Sequence, residues 1–275
     1  MLLTSKRLHS IPLVTGLLLM VPGWWLLWTL NTLWNPIFFF LMWTGASLVL
    51  WALSSGGYPG VRRHSALLLI SIPVWWWFEF VNGWVGNWEY VVEDIYTPLQ
   101  HMVMSSIAYS TVLPALDASF KLFLEGKLTT PSRTNISNSN HVLWAQICMG
   151  MVCQSCVFVW PSFCYPLVWV SPFLIVDGII GMMGGQTITQ SLISRNLALP
   201  VLVAGGALLC GILWEFWNYW AAPKWVYHIP YLDFFHIFEM PILGYGGYVP
   251  FGWSMYQLLC LTKLVPMHIN HTESC

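Results

Sequence analysis

The sequence predicts an all-α integral membrane protein of about eight transmembrane helices, arranged as two parallel four-helix repeats. Three observations predict it. Hydrophobic residues make up 57% of the chain and charged residues 8%. A soluble domain carries about 25% charged residues, so this chain could not cover a surface in water. Eight apolar runs approach the roughly 20 residues needed to cross a bilayer. Finally, Glu-Phe-x-Asn-x-Trp occurs twice, at Glu79 to Trp84 and at Glu215 to Trp220, with an offset of 136 residues. Recurrence at a fixed offset marks a repeated unit. The same offset pairs Met104 with Met240, Tyr109 with Tyr245 and Pro114 with Pro250, and a Trp-x-Tyr follows each copy (Trp88/Tyr90 and Trp225/Tyr227).

The expected spans follow in order. The first, 11–30, comes after Lys6 and Arg7. No small-x-small cleavage pattern closes it, so it reads as an uncleaved membrane span rather than a signal peptide. The second covers 36–54. The third, 65–84, ends in the first Glu-Phe-x-Asn-x-Trp. The fourth covers 95–115 and carries His101. A polar, turn-rich stretch at 129–140 reads as the linker between a first membrane repeat (1–128) and a second (141–275). The fifth span, 141–160, pairs with the first. The sixth, 166–184, holds Asp177 in its middle. The seventh, 198–220, ends in the second motif. The eighth, 234–261, is long enough to tilt or break, and Gly244, Gly246, Gly247 and Pro250 suggest a break or close packing.

With eight spans the basic residues fall on one side. Lys6, Arg7, Arg62, Arg63, Lys121, Lys127, Arg133, Arg195 and Lys263 lie there, and Glu89, Glu93, Asp94 and Asp233 lie on the other with Lys224. The positive-inside rule then makes both termini cytoplasmic. A net charge of −1 gives no footprint for nucleic acid. The expected partners are the lipid bilayer and a hydrophobic small molecule. No phosphate-cradling Gly-rich loop is present. The seven cysteines lie mostly in apolar runs, and Cys153-x-x-Cys156 has neither a following His nor a second pair, so no metal or cofactor is expected from them. The matches to the glycosylation pattern at Asn135 and Asn270 fall on the expected cytoplasmic side.

Each repeat places an ionisable carboxyl inside an apolar segment, where carboxylates are costly and mark function. Glu79 and Glu215 sit about one to two turns below the outer surface, at 1.5 Å per residue. Asn82 and Asn218 lie three residues on, on the same helix face, where an amide can orient the carboxyl. The eighth span adds His236 and Glu239. Trp84, Trp220, Trp225, Tyr227 and Tyr245 supply aromatic surface around this level. Glu79, Glu215 and Glu239 are the expected acid groups, and the Asn, His and aromatic residues the expected substrate contacts.

A carboxyl in an apolar pocket holds its proton near neutral pH and can protonate an alkene or epoxide. Aromatic faces then stabilise the carbocation. Isoprenoid cyclisation needs that combination. The alternatives are a proton-coupled carrier of a small hydrophobic solute, with its site between parallel repeats, and a non-catalytic membrane subunit in which the Glu-Asn pairs tie helices together. His236-x-x-Glu239 has the spacing of one di-iron helix in reversed order, without the further His a metal site would need.

Trp214-Glu215-Phe216 within a span resembles the Trp-Glu-Phe of small integral-membrane terpene cyclases. The repeated acid, the Trp-x-Tyr and Phe238-Glu239-Met240-Pro241 are similar to the pattern of membrane lycopene cyclases, with one Glu where those carry Pro-x-Glu-Glu. The resemblance covers about a fifth of the chain. It implies a membrane-embedded cyclase or isomerase acting on an isoprenoid or carotenoid.

Overall fold

The computed structural model describes residues 10–91, 96–125 and 140–262. Most of the expected linker lies outside these residues, as do Lys6, Arg7, Glu93, Asp94, Lys127, Arg133, Lys263 and both glycosylation-pattern Asn residues, which the charge and orientation argument used.

Two glycine-mediated hairpins open the two halves. Helix α1 (Ser10–Thr29) packs against α2 (Asn35–Leu53). A Cβ on Gly45 would sit 2.4 Å from the backbone N of Met20 and 2.5 Å from the carbonyl of Gly16, so the two backbones touch and only hydrogen fits. Asn35 closes the turn, accepting from Thr32 and donating to the Leu30 carbonyl at 2.7 Å. In the second half, α6 (Asn140–Val159) packs against α8 (Leu167–Met182), with the short α7 (Pro161–Cys164) between them.

Helix α3 (Val61–Val85) ends at Gly86, whose φ of 61° suits a residue without Cβ. Strand β1 (Trp88–Val91) follows. Helix α4 (Pro98–Tyr109) starts on a Thr97/Gln100 capping box and stops at Ser110, and α5 (Val112–Leu124) resumes. The Ser71 hydroxyl bridges this break, donating to the Tyr109 carbonyl at 2.6 Å and accepting from Leu113 N–H at 3.1 Å. In the second half, α9 (Ile188–Ile193) precedes α10 (Ala198–Tyr219), which leads into strand β2 (Lys224–Tyr227). A two-residue ladder then joins β3 (His236–Ile237) to β4 (Met240–Pro241), and a 3-10 turn (Ile242–Gly247) leads into α11 (Tyr248–Leu261).

Helices α5 and α11 form the centre. Every residue from Val112 to Phe120 is buried, as are Phe251, Met255, Tyr256 and Leu259. Around them stand α2, α3, α8 and α10. The outward faces carry exposed Leu18, Leu69, Val152 and Val201, which lipid rather than water can solvate. Strands β1 and β2 pair antiparallel across one end, with Trp88 opposite Tyr227 and Tyr90 opposite Trp225.

Six helical segments are long and apolar enough to cross a membrane: α1, α2, α3, α4 with α5, α6 and α10. The expected sixth and eighth spans are shorter. Helix α8 has 16 residues and α11 has 14. Residues 234–247 contain no α-helix, because the ladder, three glycines and the left-handed Phe235 and Phe238 fold that apolar stretch into a loop. The expected fourth span is displaced as well: it begins at Pro98, breaks at 110–111 and runs to Leu124.

Candidate functional site

Beneath the β1–β2 ribbon lies a chamber of about 430 Å³, within the roughly 300–1,000 Å³ typical of ligand pockets. Five tryptophans line it: Trp75, Trp88, Trp169, Trp214 and Trp225. Tyr90, Tyr109, Tyr227, Tyr248 and Phe251 add to the aromatic wall. Trp88 stacks on Trp169 with centroids 5.9 Å apart, and Trp214 on Tyr248 at 6.2 Å. All the described lining residues come from the ribbon end of their helices, and none from the end that carries Arg63 and Asp117.

Alternation along a strand puts residues i and i+2 on one face. Trp88 and Tyr90 therefore share a face of β1, and Trp225 and Tyr227 share a face of β2. From these faces the polar ends reach the two motif carboxyls. Glu79 Oε1 accepts from Tyr90 Oη at 2.6 Å, Trp75 Nε1 at 2.9 Å and Trp88 Nε1 at 3.2 Å. Tyr109 donates to Tyr90 Oη at 3.2 Å. Glu215 Oε1 accepts from Tyr227 Oη at 2.6 Å, Tyr248 Oη at 3.2 Å and Trp225 Nε1 at 3.4 Å. Glu215 is fully buried and its Oε2 has no hydrogen-bond partner, whereas Glu79 is half-buried. Burial first, then the neighbouring phenols and carboxyls, push the Tyr90 and Tyr227 hydroxyls well above the ordinary phenol value. Both stay protonated across the physiological range.

The motif asparagines do a different job from the one expected of them. Asn82 donates to the Trp88 carbonyl at 2.7 Å and accepts from Asn87 N–H at 2.9 Å. Asn218 donates to the Trp225 carbonyl at 2.7 Å and accepts from Trp225 N–H at 2.9 Å. They clamp the strands to the helix ends, and indole and phenol donors orient the carboxyls instead. The reason is reach: the chain turns back after each helix and presents unpaired main-chain groups five to seven residues beyond the Asn, which a short amide can satisfy.

The other expected site residues divide. Trp225 and Tyr227 line the chamber, as does Asn218 through its clamped side chain. Trp84 and Trp220 are exposed on the outer surface. His236 is exposed on the β3–β4 hairpin and bonds Asp233 at 2.8 Å. Glu239 pairs with Lys224 at 2.5 Å outside the chamber wall. Tyr245 donates to the Ile237 carbonyl at 2.9 Å. The structure thus brings Glu79 and Glu215 against one chamber and leaves His236, Glu239, Trp84, Trp220 and Tyr245 apart from it. Sequence reasoning passed over Tyr90, Tyr109, Tyr248 and Trp75 as site residues. For Tyr90 the repeated Trp-x-Tyr was the available signal.

Asp177, the expected deep acid, is fully enclosed by donors. It accepts from Ile188 N–H at 2.6 Å and Thr189 N–H at 3.2 Å, at the start of α9, and from Gln257 at 2.5 Å and Gln146 at 3.0 Å. This is a structural tie between α6, α8, α9 and α11. At the same end, Arg63 and Trp51 both donate to Asp117. Among the described residues, no three His, Cys, Asp or Glu side chains stand together as metal ligands. No family model, no curated protein and no solved structure matches this chain.

Proposed function

We propose that the protein binds a lipid-soluble molecule of isoprenoid type in the aromatic chamber and acts on it by proton transfer. The observation that carries this reading is the pair of Glu–Tyr–Trp clusters on one apolar, tryptophan-lined wall. Neither carboxyl lines the chamber itself, so the groups offered to a ligand are the tyrosine hydroxyls, with the carboxyls behind them. In the proposed step, Tyr227 or Tyr248 gives its proton to a substrate alkene and takes one back from a neutral Glu215. The substrate carbocation closes a ring and then loses a proton, which returns through a tyrosine hydroxyl to the Glu215 carboxylate, so the cycle is neutral. Stacked indoles offer their negative faces to the cation. Glu79 is half-buried and accepts from three donors, surroundings unlike those of the fully buried Glu215. Two carboxyls in unlike surroundings can in this way take opposite roles.

The same reading makes the chain two copies of one unit, related by a two-fold axis along the membrane normal, with both termini cytoplasmic and α8 and α11 as short sixth and eighth spans. The β1–β2 register supports this. Trp88 and Tyr90 correspond to Trp225 and Tyr227, and each Trp faces the other copy's Tyr, as a two-fold through the ribbon requires. The Asn82 and Asn218 clamps and the Glu79 and Glu215 hubs repeat the pattern. A carrier would need an opening toward the Arg63 end, and the chamber lining gives it none among the described residues.

The test is a lipid and pigment profile of cells expressing the wild type beside Glu79→Gln and Glu215→Gln at matched protein levels. An isoprenoid-derived species present with wild type and lost in either variant supports the reading. Identical profiles from well-accumulated proteins overturn it.

A further inference from the structure

The chamber wall carries a buried amide with nothing to bond to among the described residues. Asn87 is 4% exposed and lines the chamber. Its main chain is fully committed: its N–H donates to Asn82 Oδ1 at 2.9 Å and its carbonyl accepts from His228 N–H at 2.8 Å. Its side-chain amide makes no hydrogen bond to any described residue, and Oδ1 is fully buried. Of the buried side-chain nitrogen and oxygen atoms left without a partner among the described residues, this is the one on a residue that lines the chamber. A buried amide without a partner costs about 1–3 kcal/mol, so a residue kept in that state calls for an explanation. The feature is also one-sided. The ribbon register that matches Trp88 with Trp225 takes Asn87 to Lys224, which pairs with Glu239 and does not line the chamber. The chamber therefore has a polar point near β1 and none at the equivalent place near β2.

We propose that the chamber holds a prenol-like molecule, a long apolar body with a single hydroxyl head, and that the Asn87 amide takes the hydroxyl. An amide suits a hydroxyl because it can both donate to it and accept from it. The single anchor would fix which end of an elongated ligand lies under β1, and so which part of its chain reaches the Tyr227 and Tyr248 hydroxyls on the other side. This assignment rests on the chamber being the ligand site, as proposed above.

The experiment titrates the protein, in nanodiscs of a single phosphatidylcholine, with geranylgeraniol and with the matching tetraene hydrocarbon that lacks only the hydroxyl, reading the shift of tryptophan emission. Wild type should favour the alcohol by about five- to tenfold, the worth of one hydrogen bond. Asn87→Ala keeps both main-chain bonds and should lose the preference while still taking the hydrocarbon. Asn87→Ser, which retains a donor and an acceptor, should keep part of it. If wild type binds alcohol and hydrocarbon equally, or Asn87→Ala retains the preference, the anchor is wrong and the chamber reading stands. If neither probe binds, the chamber reading itself fails and the anchor with it.

Discussion

Asn82 and Asn218 set the position of everything else at the site. By holding the strand main chain they fix the Trp and Tyr donors, and those donors fix the carboxyls. Replacing Asn218 with Ala leaves the N–H and carbonyl of Trp225 without their partners. Each such buried group costs about 1–3 kcal/mol. Asn218→Ala should therefore lower thermal stability clearly in detergent, whereas Ala at exposed Trp220 should change it by no more than about 0.5 kcal/mol. A thermal melt of the two variants side by side checks this. Tyr227→Phe removes a proposed proton donor but leaves its ring. Product formation should fall by about 10²–10⁴, the usual worth of a general acid, while the lost bonds to Glu215 and Trp225 should cost about 1–3 kcal/mol in the melt. The Tyr227 hydroxyl is held well above the ordinary phenol value, so a pH–rate profile should show no alkaline loss from this group up to the ordinary phenol range, about pH 10. The motif carboxyls were legible in the sequence because an acid inside an apolar run stands out. Their true partners were less so, because Tyr90, Tyr109 and Tyr248 arrive from other elements, and only the folded chain shows which phenol meets which carboxyl.

At the scale of elements, hydropathy located the long helices and misjudged the short ones. Helices α1, α2, α3, α6 and α10 lie close to their expected limits because an apolar run of about 20 residues has few other options in lipid. The eighth span was drawn too long because Phe234, Phe235, Ile237 and Phe238 count as apolar wherever they sit, and here they belong to a hairpin and loop before α11. His236 and Glu239 went astray with it. The β1–β2 ribbon was not read from the sequence at all, since four-residue strands between long helices leave little alternation to detect. The α1–α2 hairpin gives the sharpest element-level prediction. Gly45→Leu drives a side chain into the Met20 backbone and should abolish accumulation of folded protein. Gly83→Ala meets nothing within 4 Å and should be neutral or stabilising by up to about 1 kcal/mol. Quantifying monodisperse protein after extraction separates the two.

At the scale of the whole molecule, the membrane solvates the outer faces and the β1–β2 ribbon roofs a chamber built from both halves. The proposed orientation has its own test. With all seven native cysteines replaced, a membrane-impermeant thiol reagent should label Glu89→Cys in intact cells, and Arg62→Cys only after permeabilisation. The reverse pattern would invert the topology without touching the chamber. The most direct measurement of the central claim is mass spectrometry of the organic extract of purified protein, wild type against Val170→Trp, which fills the chamber from its wall. The account predicts an isoprenoid-sized molecule that leaves with wild type and is missing from the filled variant. The same lipids from both proteins, at equal folded yield, would contradict it.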